Sequence, residues 1–229
     1  ASLGTSFARF RVSTAGGLAF TGLANDGEVE DYQVSILDNQ FTIDSPTVSE
    51  GNAGTVNLNF TIARTTNSGA SSVNYAITGG TAGSPGDYAP LASGMISFTD
   101  GGALSQTVTV VVNGDNIVED NETVLITLSN PVNGGIGGTG IGTGTINNDD
   151  AATVTLTGGI AQSEGNSGTT SYTFTATLNN DVQGGFSVAY STNDGTATTA
   201  DNDYQDNDGP ALVFTGTAGE TKTITILVN

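Results

Sequence analysis

Cysteine, histidine and tryptophan are absent from this chain, and only Arg9, Arg11, Arg64 and Lys222 carry positive charge. Without Cys there is no disulfide and no thiolate metal site, a usage compatible with secretion. Without His the commonest general base and metal ligand near neutral pH is missing. A single Lys and no Cys also remove most nucleophile–base arrangements. Set against 23 acidic residues, the four basic ones leave a net charge of −19. That balance argues against nucleic acid as a partner, and against anionic membrane surfaces unless a cation bridges them. No apolar run approaches the roughly 18 residues that span a bilayer, so direct membrane insertion is not expected. The chain opens on Ala1-Ser2-Leu3 with no basic leader, as expected of a mature or internal fragment.

What is present is glycine, 33 residues of it, with Thr, Ser, Asn and Asp crowding the gaps between short apolar runs. The runs alternate with period 2 and none carries a helical period, so the fold is expected to be all-β. Residues 1–37 read as two strands and a Gly/Ala-rich turn, with Phe10 and Val12 on one face and Arg9 and Arg11 on the other. Tyr32, Val34 and Ile36 share a face of the second strand, and ion pairing of Arg9 and Arg11 with Glu28, Glu30 and Asp31 is expected across the two. From Phe41 onward, strands are expected at Phe41–Val48, Thr55–Arg64, Ser71–Thr78, Gly94–Phe98, Gln106–Val112, Thr123–Ser129 and Gly140–Ile146. Seven short strands in about 110 residues fit an immunoglobulin-like Greek-key sandwich, residues 38–150, with Val56, Leu58, Phe60 and Ile62 in its core.

The stretch Asn113 to Glu122 joins two of these strands and holds Asp115, Glu119, Asp120 and Glu122 with no Lys or Arg among them. Such a loop repels itself unless a cation sits in it. Hard carboxylate and carbonyl oxygens favour Ca²⁺ over softer metals. A solvated acidic hairpin is the simpler alternative.

The pattern then repeats. Ser49-Glu50-Gly51-Asn52 returns as Ser163-Glu164-Gly165-Asn166, Gly80-Thr81-Ala82 as Gly195-Thr196-Ala197, Asp87-Tyr88 as Asp203-Tyr204, and Phe98 as Phe214. The offsets, 164 − 50 = 114 to 214 − 98 = 116, stay nearly constant, so tandem copies of one domain are expected. Residues 151–229 would be the second copy, expected to be incomplete because the chain reaches Asn229 where its acidic loop would begin.

These landmarks, with Asp115 to Glu122 and the closing Ile146-Asn147-Asn148-Asp149-Asp150, resemble the Calx-β family over about residues 41–229. Residues 27–32, Gly-Glu-Val-Glu-Asp-Tyr, resemble the end of the GEVEDY module of large bacterial surface proteins. The Calx-β resemblance implies Ca²⁺ ligands from the loops at one end of the sandwich: Glu50, Asp87, Asp115, Glu119, Asp149 and Asp150, with the Ile117 carbonyl as a backbone ligand. Six carboxylates would serve one or two ions at about six to eight ligands each. Glu122 starts a strand, where backbone amides are the alternative partners. Gly114, Asn116, Asn147 and Asn148 stand where more strongly binding members carry acids, which implies weaker binding. Glu164 and Asp203 match in the second copy, with Asp201 nearby. Asp87-Tyr88 and Asp203-Tyr204 also have a purely structural reading, each Tyr packed in the core and each Asp shaping a turn.

The resemblance and the composition together imply a Ca²⁺-stiffened structural segment of a secreted bacterial surface protein: a fibre, stalk or adhesin shaft outside the cell. Its partners would be Ca²⁺ and neighbouring domains of the same long chain, or neighbouring subunits of a fibre. One rival is an adhesin module with its own protein- or glycan-binding loop. Another is a hydrolase using paired carboxylates, but no aromatic platform marks a sugar site, and acids that recur in tandem suit a spacer better than an active site.

Overall fold

Alternation along Gly54–Arg64 sets the first sandwich, because it turns Leu58, Phe60 and Ile62 inward, each at most 1% exposed. The computed structural model describes residues 4–12, 28–36, 39–159 and 161–229. Among them the elements are strands throughout. β1 (Gly4–Val12) and β2 (Glu28–Ile36) form an antiparallel pair. The first sandwich follows with β3 (Gln40–Ile43), β4 (Thr47–Ser49), β5 (Gly54–Arg64), β6 (Ser71–Gly80), β7 (Gly94–Phe98), β8 (Ser105–Gly114), β9 (Glu122–Val132), β10 (Gly135–Ile136) and β11 (Ile141–Asn147). The second unit holds β12 (Val154–Gly158), β13 (Thr170–Leu178), β14 (Phe186–Val188), β15 (Leu212–Phe214) and β16 (Thr221–Val228).

One sheet of the first sandwich runs β10-β3-β5-β8 and the other β4-β11-β9-β6-β7. Their inner faces meet in a core of Leu58, Phe60, Ile62, Val108, Val110, Val112, Val124, Ile126 and Leu128. Apolar burial of this kind, at roughly 25 cal/mol per Å², is the main force holding the sheets together. Val56, expected in the core, is half-buried and packs against it. Gly144 of β11 is fixed by that packing: a Cβ there would lie 2.5 Å from the Phe60 ring and 2.7 Å from Leu58.

The single strand expected over Phe41–Val48 is two. β3 joins one sheet, and β4 pairs in parallel with β11 in the other. Pro46 stands between them; it has no N–H to give a ladder, so the chain crosses from sheet to sheet there. The other expected strands of this sandwich are present with ends moved by a few residues, most at β9, which runs on to Val132.

At the far pole from the acidic loop, Arg64 is 3% exposed. Its guanidinium donates to the carbonyls of Ala103 (3.0 Å), Gly69 (3.0 Å) and Thr99 (2.7 Å) and lies 4.9 Å over the Phe98 ring. One of four basic residues is thereby used to tie the β5–β6 and β7–β8 loops together.

The second unit repeats the first in its hydrogen bonds. Asn113 N–H donates to Asp87 O at 2.8 Å, and Asn229 N–H to Asp203 O at 3.0 Å, both residues offset by 116. Tyr88 bridges Val112 as Tyr204 bridges Val228. Tyr88 is buried, as its core reading required, and Tyr204 is half-buried with its hydroxyl on Asp194 Oδ1 at 2.8 Å. In the β1–β2 pair Arg9 stands opposite Asp31, the expected cross-strand neighbour. The Gly/Ala-rich turn expected between these strands, and Leu37 and Asp38 of the expected joint, lie outside the described residues.

Candidate metal centre

Three stretches meet at one pole of the first sandwich: the β4–β5 turn, the β8–β9 loop and the chain leaving β11. Hydrogen bonds fix them. Glu50 N–H donates to Asn147 O at 3.2 Å, Gly51 N–H to Asp149 Oδ1 at 3.0 Å, and Asn52 Nδ2 to Asp150 Oδ1 at 2.6 Å. The β8 end passes very close: a Cβ on Gly114 would lie 2.1 Å from the Gly51 carbonyl oxygen and 2.6 Å from that of Glu50. Position 114 therefore cannot carry an acid in this arrangement, and the sequence-based reading of Gly114 as a lost ligand is corrected on steric grounds.

Carboxylate oxygens gather there in two groups. Oxygens of Glu50, Asp149 and Asp150 lie within 4.8 Å of one another, as do oxygens of Asp87, Glu119 and Glu122. Asp115 stands between these groups electrostatically, raising the pKa of Glu50, Glu119 and Asp150 by repulsion. Its Oδ1 accepts the Ile117 N–H at 2.8 Å, which turns the loop. Asp87 shapes the turn before Tyr88, taking the Gly83 N–H on Oδ2 while Gly83 O accepts its own N–H at 2.8 Å. Asp87 therefore makes the turn, as its structural reading expected, and its carboxylate also lies in the acidic group.

The electrostatics are those of an anion cage lacking its counter-charge. Burial first, and then repulsion by Glu119, Asp115, Asp150 and Asp149, push Glu50 up to about 7. Glu122 also rises to about 7, through burial, a hydrogen bond shared with Asp87 and repulsion by Asp87, Glu119 and Glu50. Glu119 and Asp150 are raised too, burial leading in both. The cation of Arg64 is spent at the opposite pole, and Lys222 pairs with Glu220 at 2.8 Å.

Three oxygens decide whether a cation fits. Glu50 is 6% exposed and its Oε1 has no hydrogen-bond donor; nor have the buried Asp150 Oδ2 and Asn148 Oδ1. Unbonded buried acceptors cost roughly 1–3 kcal/mol each, more when charged. An all-oxygen set with no N or S donor suits a hard divalent cation. The residues present fit a hard divalent cation such as Ca²⁺, which the Glu50–Asp149–Asp150 and Asp87–Glu119–Glu122 groups could hold.

Of the residues singled out in sequence, Glu50, Asp149 and Asp150 come together, and Asp87 and Glu119 form a second group. Ile117 enters this geometry through its amide. Glu122, for which the sequence leaves ligation and backbone amides as alternatives, stands in the Asp87–Glu119 group; its place as the last acid of the loop is the available signal. Asn148 was read as a weakening substitution, yet its amide oxygen is one of the three unbonded acceptors. Nothing in the sequence pointed to Gln183, whose Nε2 donates to Glu119 Oε1 at 3.0 Å from the second unit.

The model of the Calx-beta domain matches residues 33–156 and again 147–229. Solved structures similar to this chain include the apo form of the Calx CBD1 domain, at 26% identity over 50% of this chain and 100% of that one, TM-score 0.44. CBD12 from CALX1.2 matches at 25% identity, covering 80% of this chain and 72% of the other, TM-score 0.41. The calcium binding domain CBD12 of CALX1.1 matches at 24% identity, covering 82% and 75%, TM-score 0.44. No curated protein sequence matches.

Proposed function

Because the chain belongs to the Calx-beta domain family, we propose that it is a non-catalytic, Ca²⁺-binding tandem of β-sandwiches whose ion stiffens a structural array. The observation that carries this reading is the buried Glu50 Oε1 with no donor, beside the equally unbonded Asp150 Oδ2 and Asn148 Oδ1. A bound Ca²⁺ supplies the positive charge that these groups lack and lowers their pKa values. Glu50, Asp149 and Asp150 hold one side of the site, Asp87, Glu119 and Glu122 the other, and Asp115 lies between.

The position of the site supports a mechanical role. Val118, between Ile117 and Glu119, takes part in a parallel bridge to Val182: its N–H donates to Asp181 O at 3.0 Å and its O accepts Gln183 N–H at 2.9 Å. An ion that orders this loop therefore also orders the seam between the two sandwiches. We place such an array outside the cell, on a bacterial surface, as part of a fibre, stalk or adhesin shaft. The acidic, Cys-free composition and the GEVEDY-like stretch at 27–32 support that setting.

Isothermal titration of the chain with Ca²⁺ tests the reading. Saturable binding is expected for the native chain. Glu50→Gln keeps the shape of the side chain but removes a charge, and is expected to weaken binding at least tenfold. Equal titration curves for the two proteins would overturn the assignment.

A further inference from the structure

The chain enters the first sandwich beside Arg64, where Phe41 pairs with that residue, and leaves it at the acidic pole through Asp149 and Asp150. The entering and leaving stretches lie side by side and run the same way. β4 pairs with β11 in parallel, Thr47 with Thr145, Val48 with Ile146 and Ser49 with Asn147. The pairing continues past both ends of these strands. Thr143 N–H donates to Ser45 Oγ at 3.0 Å, Thr145 N–H to Pro46 O at 2.9 Å and Glu50 N–H to Asn147 O at 3.2 Å. Gly51 N–H on Asp149 Oδ1 and Asn52 Nδ2 on Asp150 Oδ1 carry it to the acidic pole. Residues 45–52 are thus tied to 143–150 at a nearly constant offset, 145 − 47 = 98. β3 is tied in parallel to β10 as well, Gln40 beside Gly135 and Phe41 beside Ile136. Glycine keeps the contact close: a Cβ on Gly142 would run into Asp44 O and lie 2.9 Å from Ile43 Cγ1.

Direction decides what tension does to this contact. A pull on the preceding chain draws residues 39–52 toward the Arg64 pole, and a pull on the following chain draws 143–150 the opposite way. Opposed forces along parallel strands load all the bonds of the ladder together. Antiparallel neighbours pulled apart at one pole open rung by rung instead, as β3 and β5 would from Phe41 and Arg64. At the acidic end of the ladder Glu50 stands on one side and Asp149 and Asp150 on the other, with carboxylate oxygens within 4.8 Å. Like charges at that spacing push the two stretches apart. Glu50 Oε1 and Asp150 Oδ2, both buried and without a donor, also face each other across the ladder's two sides. A cation bound to both turns that repulsion into a cross-link.

We propose that residues 45–52 and 143–150 form a force-bearing clamp in the first sandwich, and that a cation held by Glu50, Asp149 and Asp150 is the clasp that locks it under tension. The clasp rests on the Ca²⁺ reading above; the clamp stands on the strand directions alone. Sliding the ladder by one two-residue step, about 7 Å, parts Glu50 from both aspartates as it breaks the bonds. The ion is therefore given up at the start of mechanical opening, and its binding free energy resists that step. Resistance of this kind is a rate, the rate of forced unfolding, and is distinct from equilibrium stability.

Single-molecule pulling of the full chain tests this, with thiol handles that the Cys-free sequence makes unique. One protein carries a cysteine appended at its N-terminus and Ala151→Cys, an exposed site just past Asp150, and is pulled along the clamp. The other carries the same N-terminal cysteine and Ser68→Cys, in the exposed β5–β6 loop, and is peeled open from β3. In chelator the first is expected to open at the higher force. At a held force, free Ca²⁺ of about 100 times Kd is expected to slow opening along the clamp roughly tenfold or more, because a site present only in the closed state must empty first. The peeling direction is expected to change far less. Calcium titration of the same two proteins separates the clasp from the site. Equal forces in the two directions would overturn the clamp. Saturable Ca²⁺ binding with an unchanged opening rate along the clamp would overturn the clasp and leave the site standing. No binding would overturn site and clasp together, while the two directions in chelator still decide the clamp.

Discussion

Gln183 Nε2 lies 3.0 Å from Glu119 Oε1, a hydrogen bond from the second sandwich to an acid of the first. With the two backbone bonds of Val118 it makes the seam depend on the shape of the acidic loop. Ca²⁺ is accordingly expected to narrow the range of angles between the sandwiches. Small-angle scattering should show a longer, narrower particle with Ca²⁺ than in chelator, at concentrations where the chain is monomeric. Gln183→Ala should reduce that difference and weaken Ca²⁺ binding a few-fold, in keeping with a net hydrogen-bond contribution of about 1 kcal/mol. Identical distance distributions with and without Ca²⁺ would contradict the coupling.

Removal of Arg64 tests the opposite pole. Arg64→Ala leaves the carbonyls of Ala103, Gly69 and Thr99 without their donor and strips the cation from the Phe98 face. A loss of about 3 kcal/mol or more is expected, from unpaired buried acceptors together with lost packing. Chemical denaturation should report it while Ca²⁺ affinity stays within about twofold, because the acidic cluster is at the other end of the sandwich.

Much of the fold and part of the site were legible in the sequence. The alternation Val56, Leu58, Phe60, Ile62 set the β5 face, and the 114–116 offsets set the tandem. The split of Phe41–Val48 was hidden because alternation is blind to which sheet a strand joins; Pro46 was its one local sign. Glu50 lies far in sequence from Asp149 and Asp150, and only the resemblance to the Calx-β family named the three together. Gly114 was misread because a close backbone approach, here to the Gly51 carbonyl, leaves no mark in composition. Gln183 belongs to the seam, and seam contacts depend on how two domains dock, which no period within either domain records.

Gly114→Asp puts that misreading to the test. Adding an acid to the loop would strengthen Ca²⁺ binding if charge alone mattered. The steric account expects the reverse, because a Cβ would lie 2.1 Å from Gly51 O and must push the β4–β5 turn, and Glu50 with it, away. Titration of the variant should show weaker binding and a lower melting temperature than the native chain.

Stability in chelator should depend on pH with an unusual sign. Glu50 and Glu122 have folded pKa values of about 7, against 4.5 for the free side chain. Between these values the folded state holds more protons than the unfolded one, so stability falls as pH rises through 4.5 to 7. The metal-free protein is expected to melt higher near pH 5 than near pH 7.5. Ca²⁺ competes with the same protons, so its affinity should rise over the same interval. A metal-free melting temperature that climbs with pH across this range would contradict the uncompensated cluster.

Thermal melting of the native chain with Ca²⁺ and with chelator, at neutral pH, tests the cation site most directly. At free Ca²⁺ of about 100 times Kd, a site present only in the folded state adds roughly 2.7 kcal/mol. For a unit the size of the first sandwich, about 110 residues, that is a rise of roughly 10–20 °C in its transition, reduced in Glu50→Gln. Superimposable melting curves with Ca²⁺ and chelator would contradict the account.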